Sequence, residues 1–162
     1  MTTILPKLQA STLSYLNPQP KLMLINGEWV GAASGKTFET VNPANGETLA
    51  MVAEADKEDI DRAVNAARKA FHGSWAKFKP SQRQRVLLRL ADLVEANRDE
   101  LAELEVLDSG MPITVARQGM IARAVDLLRY YAGWATKIHG ETIENSAAGE
   151  FFTYTLREPM GV

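Results

Sequence analysis

Leu22-Met23-Leu24-Ile25-Asn26-Gly27-Glu28-Trp29-Val30 sets a short apolar run against a second extended segment across an Asn-Gly pair. Asn-Gly accepts positive φ at both central turn positions, so 22–25 and 28–30 are expected to pair as an antiparallel hairpin. Outward from it, 31–35 reads as a loop and 37–41 as a β-branched and aromatic strand. Residues 42–47, with Pro43 and Gly46, read as a turn, and 49–53 as a further strand. The period then changes from two to helical. Asp56 is placed to cap a helix with Glu58 and Asp59 in its acidic first turn, and Ile60, Ala63, Val64, Ala67, Ala70 and Phe71 follow at helical spacing, a small-residue face expected to pack closely.

Three more helical patterns follow. Ser81 and Gln84 resemble a capping box ahead of Val86, Leu87, Leu90, Ala91, Leu93 and Val94. Asn97 and Asp99 open a segment through Leu107, stopped by Gly110 and Pro112. From about 113 to 138, Val115, Ile121, Ala122, Val125, Leu128, Tyr131, Ala132 and Ala135 keep one face apolar. After His139-Gly140, residues 151–156 read as a strand with Phe152, Tyr154 and Leu156 on one face. The residues alone therefore predict an α+β chain: β-hairpins, four helices, then a return to β. The apolar ending Met160-Gly161-Val162 reads as a cut.

The chain has 162 residues, 46% apolar and 23% charged, which is room for about one domain of ordinary globular composition. Eighteen Lys and Arg against 20 Asp and Glu leave a net charge of −2, so there is no cationic surplus for a nucleic acid or an anionic membrane. Cysteine is absent, which removes disulfides, thiolate nucleophiles and sulfur-ligated metals. Residues 1–20 lack the basic start and apolar run of a secretory signal, and no stretch reaches ~18 uninterrupted apolar residues. A cytoplasmic protein with a flexible leader over 1–21 is expected.

Gly31-Ala32-Ala33-Ser34-Gly35-Lys36-Thr37 is superficially like a phosphate-binding loop, but its glycines are too close and a strand follows where a helix N-terminus must face the phosphate. It reads as an inter-strand loop. His72 and His139 sit beside glycines at predicted helix ends, where an imidazole meets the last carbonyls. Glu95, Asp99, Glu100, Glu103, Glu105 and Asp108 read mostly as a solvated face. Asp108 differs, because a negative charge at a helix C-terminus opposes the dipole and calls for a cation, a donor or water. Tyr130, Tyr131 and Trp134 read as core or interface packing. No residue is assigned a catalytic role.

Leu24 to Val30, Asn42-Pro43-Ala44-Asn45-Gly46-Glu47, Leu107-Asp108-Ser109-Gly110-Met111-Pro112, Arg129-Tyr130-Tyr131-Ala132-Gly133-Trp134-Ala135 and Arg157-Glu158-Pro159-Met160-Gly161-Val162 together resemble the opening third of the NAD(P)-dependent aldehyde dehydrogenase family. The resemblance covers about 22–162. It implies an α/β protein, with 22–140 the first part of a Rossmann-like cofactor-binding domain, 141–158 a β-arm for oligomerisation and 159–162 the start of the cofactor-binding sheet. It implies oxidation of an aldehyde to an acid with NAD or NADP, in a homodimer or homotetramer. The cysteine nucleophile, the glutamate base and the nicotinamide-binding motifs would lie beyond residue 162, leaving this stretch inactive by itself. The arm, read as a lone strand, would need a neighbouring chain or remain disordered. Thr40 or Val41 and Asp108 match positions that hold a monovalent cation in family members. Gly119, Met120 and Arg123 match the substrate tunnel, with Arg123 in place of an apolar residue; a plain surface arginine is the other reading. The rival from a different class is a non-enzymatic α+β interaction module that pairs through its β-arm.

Overall fold

The computed structural model describes residues 8–17 and 20–162. The expected hairpin forms from β1 (Met23–Ile25) and β2 (Glu28–Val30), with Asn26 at φ 54° and Gly27 at φ 82° in its turn. These are the values that a two-residue turn of this hand demands, and a β-branched residue at either would strain it. β3 (Thr37–Val41) pairs antiparallel with β4 (Thr48–Ala53), and the register shifts between Thr40 and Val41. The turn between them is organised by Asn42, whose side-chain oxygen accepts from the Ala44 amide while its carbonyl accepts from Gly46.

A helix stands where the leader was expected. α1 (Ala10–Leu16) docks on α4 (Arg98–Ser109). Its Thr12 is fully buried, and the Gln9 amide (3.0 Å) and the Thr12 hydroxyl (2.5 Å) both donate to the Glu103 carboxylate. Lys21, at the leader's end, pairs with β4 through Lys21 N to Met51 O and Ala53 N to Lys21 O. A seven-residue segment followed by Pro18 and Pro20 looks unstructured in sequence. Here a carboxylate 91 residues away from Thr12 satisfies its donors. The leader reading at 1–7 and at Pro18 lies outside the described residues.

α2 (Lys57–His72) begins as expected at Asp56, whose carboxylate accepts from the Glu58 amide. Asp59 completes the box and goes further. It is 1% exposed, and its two oxygens accept from the Ala33 amide (3.1 and 3.2 Å), the Asp56 amide (3.3 Å) and Arg62 Nη1 (3.2 Å). One carboxylate thus ties the loop after the first hairpin to the start of α2. The close packing expected of α2 is partial: Ala63 and Val64 are half-buried, while Ile60, Ala67 and Ala70 are exposed.

α3 (Pro80–Ala96) starts one residue before the expected Ser81 box. Pro80 occupies the first helical position, where its missing N–H costs nothing, and the Gln82 side chain accepts from the Lys79 amide at 2.7 Å. The long fourth pattern is broken. Val115–Ile121 is a π-helical segment, α5 runs Ala122–Trp134, and looser turns follow in place of helix to 138. His139 therefore lies in a connecting loop, whereas His72 does end α2 and meets the Phe71 ring edge-on.

α3 and α5 form the main helix pair, with Ala91, Val125 and Ala132 shut away on the seam and Ala102 and Ala116 buried where α4 meets the π segment. Small residues let the backbones approach closely. They leave the larger apolar side chains outside: Val86, Leu90 and Leu93 on α3, and Leu127, Tyr131 and Trp134 on α5, are all exposed. The aromatic set, read as core or interface, is not core among the described residues.

The terminal arm is a hairpin in this chain rather than a lone strand. β5 (Thr142–Ile143) pairs with β6 (Thr153–Tyr154), shorter than the strand expected over 151–156. Its base is closed by the Thr155 amide on the Glu141 carbonyl and the Glu141 amide on the Thr155 hydroxyl, both 2.9 Å. Phe152, Tyr154 and Leu156 stay exposed, with the first two rings 5.7 Å apart. The described residues thus form three antiparallel pairs and five helices, a mixed α+β arrangement, and the parallel sheet expected of a Rossmann-like domain is not among them.

Two outcomes follow from this packing. Asp59→Ala should lower the unfolding free energy by about 2–4 kcal/mol in urea followed by circular dichroism, because two backbone amides and a guanidinium lose their acceptor. Asp61→Ala, which removes an exposed pair with Lys57, should change it by less than about 0.5 kcal/mol; equal losses would show that Asp59 is an ordinary surface acid. The uncovered apolar faces should bind anilinonaphthalene sulfonate strongly at native pH, and dye fluorescence at the level of a closed globular protein would contradict the exposure described.

Candidate functional site

The β3–β4 turn and the end of α4 meet, and this contact brings two of the expected residues, Thr40 and Asp108, together. α4 ends in Gly110 at φ 74°, the left-handed cap that glycine adopts without cost, and its N–H bonds the Val106 carbonyl. A Cβ at Gly110 would lie 3.0 Å from Pro43 Cγ, so the glycine also lets the turn approach. The approach brings Thr40 Oγ1 to 3.4 Å from Asp108 Oδ1, across 68 residues of sequence. The register shift at Thr40 and Val41 bends β3 at this point, as bulges do beside sites. Val41 is exposed and neighbours the pair in sequence.

The chemistry is that of hard oxygen donors beside the negative end of a helix, which suits a cation of low charge. Among the described residues no three His, Asp or Glu side chains cluster as a metal site, so any cation here leans on hydroxyl and backbone oxygen as well as on Asp108.

Gly119, Met120 and Arg123 are each exposed near the point where the π segment passes into α5. A π segment shifts the residues after it around the helix axis, and such segments concentrate at functional sites. Gly119 leaves open space there: a Cβ would meet nothing nearer than Val115 Cγ1 at 4.0 Å.

Two of the acids read as a solvated face, Glu95 and Asp99, are exposed and also pair with arginines on other helices. Arg129 Nη2 on α5 donates to Glu95 (2.6 Å) and Asp92 (3.2 Å) on α3, and Glu95 also takes Arg98 at 3.0 Å. Hydrogen bonds to Glu95 and then Asp92 hold the Arg129 guanidinium above the ordinary arginine value. Arg117 of the π segment pairs with Asp99 of α4 at 2.7 Å. Sequence reasoning missed these ties because periodicity shows pairs within one helix and is blind to partners on another.

The loop 31–35 makes no phosphate cradle. Its Ala33 amide, which a phosphate would need, already serves Asp59, and β3 follows. No helix among the described residues is long and apolar enough to cross a membrane.

Comparison with known proteins gives one answer. The profile described as the aldehyde dehydrogenase family matches residues 29–162. The mitochondrial benzaldehyde dehydrogenase of Antirrhinum majus is 56% identical over 141 residues, 86% of this chain and 26% of its own length. The human mitochondrial aldehyde dehydrogenase is 51% identical over 152 residues, 90% of this chain and 29% of its own. The NAD+ complex of an aldehyde dehydrogenase from Bacillus cereus superposes with a TM-score of 0.90 at 49% identity, covering 94% of this chain and 31% of that one. The chain thus spans under a third of the length of these relatives.

Gly110→Ala should cost about 1–2 kcal/mol, since it forces a side chain into the left-handed region and against Pro43. Urea midpoints check this, and an unchanged midpoint would mean that the turn and α4 do not meet as described.

Proposed function

Because this chain belongs to the aldehyde dehydrogenase family, we propose that it supplies the opening framework of an NAD(P)-dependent enzyme that oxidises an aldehyde to a carboxylic acid. The observation that carries the reading is the length and continuity of the likeness, 94% of the chain superposing on a dehydrogenase at 49% identity. In that reading the helices are an outer layer of a Rossmann-like cofactor domain. Their exposed apolar stripes are the faces on which the rest of the enzyme rests.

The division of labour follows from what these residues can do. With no cysteine there is no thiolate to attack a carbonyl carbon, and the Ala33 amide of the loop 31–35 is committed to Asp59. NAD or NADP supplies a hydride acceptor when bound, and its binding and the covalent chemistry belong to parts of the protein outside this chain. The chain's own residues position. Thr40, Val41 and Asp108 would hold a monovalent cation that screens the negative end of α4 and fixes the β3–β4 turn against it. Gly119, Met120 and Arg123 would line the approach of the aldehyde.

The 141–158 arm would join a neighbouring subunit in a homodimer or homotetramer, as its exposed rings and the short β5–β6 ladder with open edges suit strand addition. The cytoplasmic setting expected from the sequence belongs to this proposal, and no nucleic-acid or membrane partner is included.

The test is an assay of the isolated chain and of the enzyme that carries it, with propanal and either NAD+ or NADP+. The carrier should reduce the cofactor and the isolated chain should not. Turnover by the isolated chain would overturn the framework assignment, and a carrier inert towards every aldehyde tried would overturn the enzyme reading.

A further inference from the structure

The chain contains two Asn-Gly pairs, Asn26-Gly27 and Asn45-Gly46, and each sits in the turn of a hairpin. In both pairs the asparagine and the glycine are exposed, and the glycines share the left-handed region at φ 82° and 74°. Their hydrogen bonding differs. The Gly46 N–H donates to the Asn42 carbonyl at 2.7 Å, the Asn45 side-chain nitrogen donates to the Glu47 carboxylate at 2.8 Å, and the Glu47 amide donates to the Asn45 side-chain oxygen at 3.0 Å. The Gly27 N–H and the Asn26 side chain have no such partner among the described residues. The hairpin that carries them joins no other strand there, and a ribbon of two three-residue strands opens at little cost.

Asparagine before glycine lets a main-chain nitrogen reach the side-chain carbonyl of the preceding residue, since glycine has no Cβ to obstruct the approach. We propose that Asn26 is a site of spontaneous deamidation, while Asn45, in the same dipeptide, is protected by its hydrogen bonds. The Gly27 nitrogen attacks Cγ of Asn26. The new N–C bond closes a succinimide ring as the Cγ–Nδ2 bond breaks, and the Gly27 proton leaves with the side-chain nitrogen as ammonia. Water then opens the ring at either carbonyl to give aspartate or isoaspartate, with nothing oxidised or reduced. At Asn45 the attacking N–H and both polar atoms of the side-chain amide are already held, so three hydrogen bonds must break first. Aspartate at 26 adds a carboxylate to a cavity lined by Glu28, Arg62 and Lys69. Isoaspartate adds a methylene to the main chain of a two-residue turn, which the pairing of Ile25 with Glu28 cannot absorb.

The experiment incubates the protein that carries this chain in native buffer at mildly alkaline pH, and in parallel in urea, and digests both with trypsin. Cleavage after Lys21, Lys36 and Lys57 puts the two sites in separate peptides, 22–36 and 37–57. Asn42 in the second precedes Pro43, which carries no N–H to release, so conversion there reports Asn45. In native buffer, mass spectrometry should show amide converted to acid in 22–36 about tenfold or more faster than in 37–57, the protection expected of the committed hydrogen bonds. In urea the two rates should converge, and Glu47→Ala should speed Asn45 in native buffer while leaving Asn26 unchanged. Equal native rates, or a native Asn26 that stays an amide, would overturn the proposal. A ratio in urea as large as in native buffer would overturn it too, because the difference would then come from neighbouring sequence.

Discussion

A single buried carboxylate ties the loop after the first hairpin to the start of α2. Asp59 is nearly without solvent, so its charge must be met by protein donors, and three come from different places: the Ala33 amide in the loop after the hairpin, the Asp56 amide at the helix start, and Arg62 one turn along. Burying a carboxylate is costly unless its oxygens are satisfied, and once they are satisfied the arrangement resists change because each donor lost leaves a charge uncompensated. The position at which the period changes from two to helical is therefore also the position at which strand and helix are tied. Glu103 and the Arg129 partners likewise join an element to a distant one through a carboxylate, the latter at exposed positions.

The fully buried apolar side chains are alanines and one valine, and the large ones face outward in stripes on α3 and α5. A helix apolar on two sides is built to lie between layers. α3 shows this directly, with Ala91 against α5 and Val86, Leu90 and Leu93 uncovered on the other side. Within a family whose described relatives are more than three times as long, those faces are natural seats for further structure.

Local elements were legible in the residues where the chemistry is local. Asn26-Gly27 specifies a turn, Asp56 a helix start and Gly110 a helix end, and all stand where they were expected. Features that depend on distant partners were not. α1 is short, and it docks on α4 through Glu103; the arm's first strand, Thr142–Ile143, is too brief to register as a pattern, so β6 seemed to lack a partner. The π segment was hidden because its apolar positions suit either helical period within a few residues. Of the site, the pairing of Thr40 with Asp108 across the fold came from resemblance, since no spacing rule connects a strand to a helix 68 residues on. The different settings of Asn26-Gly27 and Asn45-Gly46 needed coordinates.

The account is that this chain is a framework tied by buried and bridging carboxylates, with the loop 31–35 committed to structure rather than to a ligand. Native-state hydrogen exchange at the Ala33 amide addresses it most directly. A loop amide held by a buried carboxylate should exchange as slowly as the amides of the first half of α2, with protection lost in step with that helix as denaturant is added. Exchange of Ala33 at the rate of an exposed loop, while α2 stays protected, would show that Asp59 does not bind the hairpin to the helix and would contradict the account.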